Sequence, residues 1–389
     1  MRNSLYFKGA LLLGAFALWG AGCGQPPAPI TPPVVETPKE DIVIGATLPL
    51  TGELAEYGDS WRKAMELSVE EVNQDGGIDG HLLKLVVEDD KCDPAMASST
   101  VSKLMTADKV MAVVGPACDD AVLAAAPLAE LNSVPMVAIA AASPKITSAG
   151  SFIFRLAASD ALRTKALTQT IYAENATDPV FSIFWENTDY HTSVRDAFRA
   201  FMTDKGAKLE IDESFATSSN DFEAIAEKVE DVPAIFVSAS PEITSQFLKE
   251  LEAQKYTGKI YAGLDQLDGN IMKEIAAEGA DGVKFAVFSQ AASAAYDKFA
   301  VAYQSVYNEA PKNSAAQAYD AVKLLANAMK TKGANSADIA SGLFEVQGYK
   351  GALGDITMDE NGDLTNSSVD YRLVHFKDGA LTFETLNQF

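Results

Sequence analysis

From Asp41 onward the chain alternates between two apolar rhythms. Nearly continuous apolar runs predict buried strands over Asp41–Leu48, Leu83–Val87, Met111–Gly115 and Val134–Ile139. Between them, apolar positions three or four apart predict helices over Tyr57–Asn73, Pro94–Met105 and Asp119–Leu131. In the first helix Trp61, Ala64, Leu67, Ser68 and Val72 share a face, Glu66, Glu70 and Glu71 fall mostly off it, and Gly76-Gly77 ends it. Strands and helices in such alternation belong to α/β layers with parallel strands.

A second run of the same kind follows Phe152–Leu156. It has helices from Asp160, Thr192, Asn220 and Pro241, and strands over Val180–Trp185, Ala207–Phe215, Ala234–Ala239 and Lys259–Gly263. After Gly282 the rhythm changes to long Ala-rich helices over Ala294–Tyr307 and Ser314–Lys330, with no strand expected between them. Val369–Thr385 then alternates apolar and polar residues around Asp378-Gly379, a hairpin signal. Two α/β units followed by helices and a returning hairpin mean that the chain crosses between lobes more than once. No repeat of solenoid length is present.

At 389 residues the chain has room for two or three domains of ~100 to 200 residues each. Hydrophobic residues make up 48% of it and charged residues 22%, a globular balance. With 31 Lys plus Arg against 54 Asp plus Glu, the formal charge of −23 excludes nucleic acid as a partner, because phosphate backbones need a basic patch.

The first residues read as an export signal: Arg2 and Lys8, an apolar run from Gly9 to Gly22, then Cys23. The run is too short to span a bilayer, which takes ~20 apolar residues. Ala21-Gly22-Cys23 is close to a bacterial lipobox, in which cleavage precedes a cysteine that becomes lipidated; Gly20 stands where that pattern usually has Leu. Ordinary secretion is the alternative. Residues 24–40 hold six of the 16 prolines and read as an extended spacer. Contact with a membrane is thus expected through the lipid anchor only.

Three cysteines leave an odd thiol in an exported chain. With Cys23 lipidated, Cys92 and Cys118 remain either to pair or to stay as buried thiols. Motifs of catalysis are absent: no G-x-S-x-G, H-E-x-x-H, P-loop, G-x-G-x-x-G or C-x-x-C occurs. His81, His191 and His375 fall in separate predicted elements, which argues against a triad or a histidine metal site. The DENGD run at 359–363 places Gly362 too early for an EF-hand and reads as a tight turn. Neither an enzyme nor a cofactor or metal is implied.

The stretches TLPLTGELAEYGDSWRKAMELSVEEVNQDGGIDGHLLKLVVEDDKCDPAMA and VVGPACDDAVLAAAPLAELNSVPMVAIAAASPKIT resemble the leucine/isoleucine/valine-binding proteins of bacterial ABC importers. Shared in order are L-T-G, A-x-Y-G, N-x-x-G-G-I-x-G, D-D-x-C-D-P and a second cysteine after a G-x-x motif. The likeness runs from about Asp41 to the C-terminus, dense to Asp160 and sparse beyond. It implies the type I periplasmic binding protein fold: α/β, with two Rossmann-like lobes joined by three crossings that hinge over a ligand. It also implies a Cys92–Cys118 disulfide and a permease partner. The expected boundaries are 1–22 signal peptide, 23–40 lipidated Cys and Pro-rich linker, 41–157 plus 288–370 lobe 1, and 158–287 plus 371–389 lobe 2. Loops after Ile44, Gly115, Ile139, Phe184, Ala239 and Gly263 should face the cleft, beyond the carboxyl ends of the strands.

Matched residue by residue, the resemblance puts Tyr57 over the ligand, Tyr190 against it from the second lobe, and Asp265 beside its ammonium group. The departures are informative. Asp119 stands where the family has a serine holding the ligand's carboxylate; it either faces the ligand or caps its own helix. Ala142 replaces a threonine, with Ser143 beside it as a partial substitute, and the small residues from Ala140 to Ala142 let backbone groups line the cleft. Ser240 and Ser314 take the approximate places of larger aromatics, which widens the pocket. The expected function is an extracytoplasmic solute-binding lipoprotein of an ABC importer, taking an amino acid or an amine- or amide-bearing solute. A ligand-sensing or envelope protein-binding lipoprotein of the same fold is the alternative.

Overall fold

The first sheet is entirely parallel and has the strand order β2-β1-β3-β4-β5, from β1 (Ile42–Leu48), β2 (Leu83–Asp89), β3 (Val113–Val114), β4 (Met136–Ala138) and β5 (Ile153–Arg155). This computed structural model describes residues 39–216, 222–229, 231–264, 278–288, 293–365, 369–377 and 380–388. The export signal, Cys23, most of the spacer, Asp265 and the Asp378-Gly379 turn lie outside the described residues.

Strand β3 is shorter than its apolar run, because Gly115 at φ +93° and Pro116 turn the chain away at its end. The ladder still extends past both ends: Met111 N–H donates to the Val43 carbonyl and Gly115 N–H to that of Val137, 2.9 and 2.8 Å. Helices α1 (Ala55–Gln74), α2 (Pro94–Thr106) and α3 (Asp119–Asn132) connect these strands. The face predicted for α1 is the buried one: Trp61, Ala64, Leu67, Ser68 and Val72 all lie inside. They pack with Ile44, Ala46 and Leu48 of β1, while α2 and α3 cover the opposite face through Val101, Leu104, Val122 and Ala126.

After β5 the chain passes to the second lobe through residues 156–159. Its sheet has the order β14-β13-β10-β9-β8-β6-β7, built from β6 (Val180–Glu186), β7 (Lys208–Phe215), β8 (Ala234–Ser238), β9 (Lys259–Leu264), β10 (Lys284–Phe288), β13 (Val369–Lys377) and β14 (Ala380–Gln388). Strands β6 to β10 are parallel and repeat the winding of the first sheet; β13 and β14 are added antiparallel beside β10. Helices α4 (Asp160–Glu174) and α5 (Asp189–Asp204) cover one face, with Phe198 stacked on Phe236 at 4.2 Å. On the other face lie α6 (Glu223–Ala226) and α7 (Pro241–Ala253), where Phe184, Phe215 and Phe247 meet.

Following β10 the chain returns to the first lobe and adds α8 (Ala294–Tyr307), α9 (Ala315–Lys332), α10 (Ser336–Phe344) and a small hairpin, β11 (Tyr349–Gly351) with β12 (Gly354–Ile356). It crosses once more before β13. Two lobes and three crossings are as anticipated, and no strand separates α8 from α9, but β10, ahead of both helices, was not expected. Neither α10 nor the hairpin was foreseen. The hairpin turn is held by a buried carboxylate of another element: Asp320 of α9 accepts from the N–H groups of Ala352 and Leu353, 2.9 and 2.8 Å. Local pattern does not reveal such a turn. Burial raises the Asp320 carboxyl to about 6.

Candidate ligand-binding site

In an open α/β sheet a ligand sits beyond the carboxyl ends of the strands, at the point where the strand order reverses. For the first sheet that point lies between β1 and β3, and for the second between β6 and β8. Since β1 runs through Leu48, its loop starts four residues later than Ile44. The sequence motifs build this edge. Asp89 accepts from the Leu50 N–H at 3.0 Å and the Thr51 hydroxyl at 2.6 Å, which fixes the L-T-G loop. Its neighbour Asp90 accepts from the Thr47 hydroxyl and the Cys92 N–H. Asp93 caps α2 through the Met96 N–H, with Pro94 as the first helical residue. A Cys92–Cys118 disulfide, Cα atoms 5.5 Å apart, ties this segment to the start of α3 at the end of β3.

Asp119 opens α3 at the switch point, yet it does not cap that helix. Its Oδ1 accepts from the backbone N–H groups of Ala142 and Ser143, at 2.8 and 2.9 Å, across the loop that follows β4. The capping alternative is therefore corrected: the loop amides, 23 and 24 residues away, provide two donors at once. The rest of the loop is equally engaged. The Ala142 carbonyl accepts from the Asp160 N–H at 2.9 Å, a bond to the first residue of α4 in the other lobe. Arg155 Nη1 donates to the Ser143 carbonyl at 2.7 Å. Arg155 is fully buried and grips Asp363 through Nε and Nη2, 2.9 and 2.6 Å, while Nη2 also reaches the Thr147 hydroxyl. Asp363 belongs to the DENGD turn, in which Asp359 accepts from the N–H groups of Asn361 and Asp363 and Gly362 takes φ +78°. Ala140, half buried, packs against the core beside this loop.

The switch point of the second sheet has its own group. Glu186, the last residue of β6, accepts from the Ser240 N–H at 2.7 Å. His191, in the first turn of α5, places Nδ1 3.1 Å from the Ser238 hydroxyl and Nε2 3.7 Å from Glu186. Burial pushes the His191 imidazole down to about 4, against the opposite pull of the Glu186 carboxylate. Ser238, His191 and Glu186 therefore stand in a line, while His81 and His375 lie in other elements. Ser238, however, has no exposed surface, so it is not a nucleophile open to a substrate. Tyr190 lies with its ring 4.9 Å from that of His191.

Tyr57 stands in the first turn of α1, 38% exposed, with its ring 6.1 Å from that of Trp61 and under the Lys312 ammonium. Among the described residues no hydrogen bond or ring contact joins it to Asp119 or to the second-lobe group. Ser314, at φ +63°, precedes α9. Two bonds fix that end of α9 to the first turns of α1: Trp61 Nε1 to the Asn313 carbonyl, and Lys312 N–H to the Ser60 hydroxyl. Gln317 follows one turn later, fully buried, with neither amide atom hydrogen-bonded. Such an atom in a native interior calls for a water or a ligand. Among the described residues, no group of His, Cys, Asp and Glu side chains is placed to hold a metal.

The sequence profile of the periplasmic binding protein family matches residues 41–380. The chain belongs to the periplasmic binding protein family. Among curated relatives of this binding protein, a leucine-, isoleucine-, valine-, threonine- and alanine-binding protein of Pseudomonas aeruginosa is 26% identical over 345 residues, 84% of this chain and 88% of the relative. Among solved structures, the branched-chain amino acid binding protein LivJ of Streptococcus pneumoniae, in complex with isoleucine, has a TM-score of 0.67 and 28% identity, covering 89% of this chain and 99% of that one. The leucine-binding protein LivK of Thermotoga maritima has the same TM-score at 26% identity, over 88% and 98% of the two chains. The fold is that of a type I periplasmic binding protein. No helix among the described residues is long and apolar enough to cross a membrane.

The residues at the candidate site of this binding protein that sequence reasoning did not single out are Glu186, Ser238 and the Arg155–Asp363 pair, and His191 only as one of three scattered histidines. One signal was available for the pair: Arg155 closes an apolar run otherwise meant for burial, and a buried guanidinium demands an acid.

Proposed function

We propose that the protein is an extracytoplasmic solute-binding lipoprotein of an ABC importer. It holds a small polar solute between its lobes and presents the closed form to a membrane permease. The observation that carries this reading is the placement of Asp119 and the Ala140–Ser143 loop at one topological switch point, and of Glu186, Tyr190, His191 and Ser240 at the equivalent point of a second sheet wound the same way. A solute touching both groups stabilises the closed arrangement over the open one, and its differential affinity sets how far the population shifts. The relatives named for branched-chain amino acids support a solute of that size. Cys23 supplies the lipid tether and residues 24–40 the spacer.

The test is to purify the protein without dialysis, identify any co-purifying solute by mass spectrometry, and follow its rebinding by small-angle scattering. A bound small molecule whose return reduces the radius of gyration supports the reading. Absence of any co-purifying solute, with no contraction on adding amino acids or their amides, removes it. Radiolabelled palmitate incorporated into the wild type but not into Cys23→Ala would establish the anchor.

A further inference from the structure

We propose that Asp119 determines specificity by supplying, from within the chain, the carboxylate that the Ala142 and Ser143 amides bind, so that the solute is an amine or amide with no carboxylate of its own at that place. This rests on the solute-binding reading above and narrows it to a chemical class.

The argument is one of hydrogen-bond capacity. The loop after β4 exposes two N–H groups at the switch point, and both already donate to Asp119 Oδ1. Its two carbonyls accept from Asp160 and Arg155, and the Ser143 hydroxyl accepts from the Lys145 N–H at 3.3 Å. An incoming carboxylate finds both of these amides taken. To gain one it must displace Oδ1 and lie about 4 Å from the displaced charge, a repulsion that lowers affinity by about a thousandfold at an effective dielectric near 20. Arg155 gives no relief, since it is fully buried and bonded to Asp363.

What the loop leaves over is an acceptor. Every hydrogen bond of Asp119 to a described residue ends on Oδ1, so Oδ2 remains for a donor on the solute. The switch point of the second sheet adds Glu186, a second acid. Gln317, in the first turn of α9, has a donor and an acceptor unused in a buried place, which suits a neutral amide better than a charged group.

Calorimetry with matched pairs tests the assignment: L-leucine against L-leucinamide, and L-alanine against L-alaninamide, each with the wild type, Asp119→Ser and Asp119→Asn. The wild type is expected to bind the amide of at least one pair tenfold or more tighter than the free acid, about 1.4 kcal/mol. Asp119→Ser, with its loop amides released and the charge gone, should reverse that preference. Asp119→Asn retains an oxygen for the loop and loses only the charge, so it separates a folding defect from a change of specificity. Wild type that takes the free acid as tightly as the amide overturns the proposal, as does a co-purified solute whose carboxylate is needed for binding; both leave the solute-binding reading standing. If no variant binds either member of a pair and nothing co-purifies, the solute-binding reading falls and this inference with it.

Discussion

His191 is held neutral inside the second lobe by the loss of water around it, and only Glu186 pulls the other way. Its folded pKa, about 4, lies below the ordinary 6.5, so between those values the unfolded chain binds a proton that the folded one does not. Stability from this group is full above about pH 6.5 and falls as pH drops toward 4, by roughly 3 kcal/mol in all. Asp320 works in the opposite sense, because its raised carboxyl protonates first in the folded state and gains stability over much of the same range. Only a comparison of variants isolates the histidine. His191→Asn should lose less stability than the wild type between about pH 7 and about pH 4.5 in urea unfolding. Equal losses in the two proteins would refute the assignment. At this scale the sequence is least legible: Asp119 stands out in it, but its partners stand 23 and 24 residues away and no local pattern points to them.

Among the elements, the motifs that made the chain recognisable are mostly devices of backbone geometry. Asn73 of N-x-x-G-G-I-x-G bonds reciprocally with Leu83, its side chain donating to the carbonyl and accepting from the N–H, 2.9 and 2.7 Å, so that α1 fixes where β2 begins. Gly77 has φ +71°, and a Cβ there would stand 2.1 Å from the His81 carbonyl oxygen. Gly58 of A-x-Y-G explains that motif: a Cβ would meet the Pro49 carbonyl oxygen at 2.1 Å, so the helix approaches the end of β1 only without a side chain. Exchanging glycine for alanine inside a helix normally stabilises it by up to about 1 kcal/mol. Here the sign should invert, with Gly58→Ala destabilising by about 1 to 3 kcal/mol in urea unfolding. A stabilised variant would mean that the close approach is not maintained. Strands buried on both faces were readable from apolar runs alone, and helices from their faces. What escaped, β10, α10 and the β11–β12 hairpin, consists of segments three to nine residues long. Neighbours distant in sequence decide whether such segments form.

Across the whole molecule, the Arg155–Asp363 pair joins the end of β5, where the chain first leaves for the second lobe, to the turn that precedes its last departure. Through the Ser143 carbonyl it also steadies the candidate site. Removing one partner of a buried ion pair costs about 3 to 5 kcal/mol, since the other is left without compensation. Asp363→Ala should therefore lower the urea midpoint strongly and weaken solute binding as well. Loss of stability with unchanged affinity would detach the pair from the site.

Neither lobe is made from one uninterrupted stretch of chain. Helix α1, near the beginning, waits for α9 to cover it, and β10 waits for β13, whose own partner β14 ends at Gln388. A nascent polypeptide thus cannot close its first lobe until α9 has been made, nor its second until β13 and β14 have followed; whatever escorts it meets exposed apolar faces long after the first strands have left the ribosome.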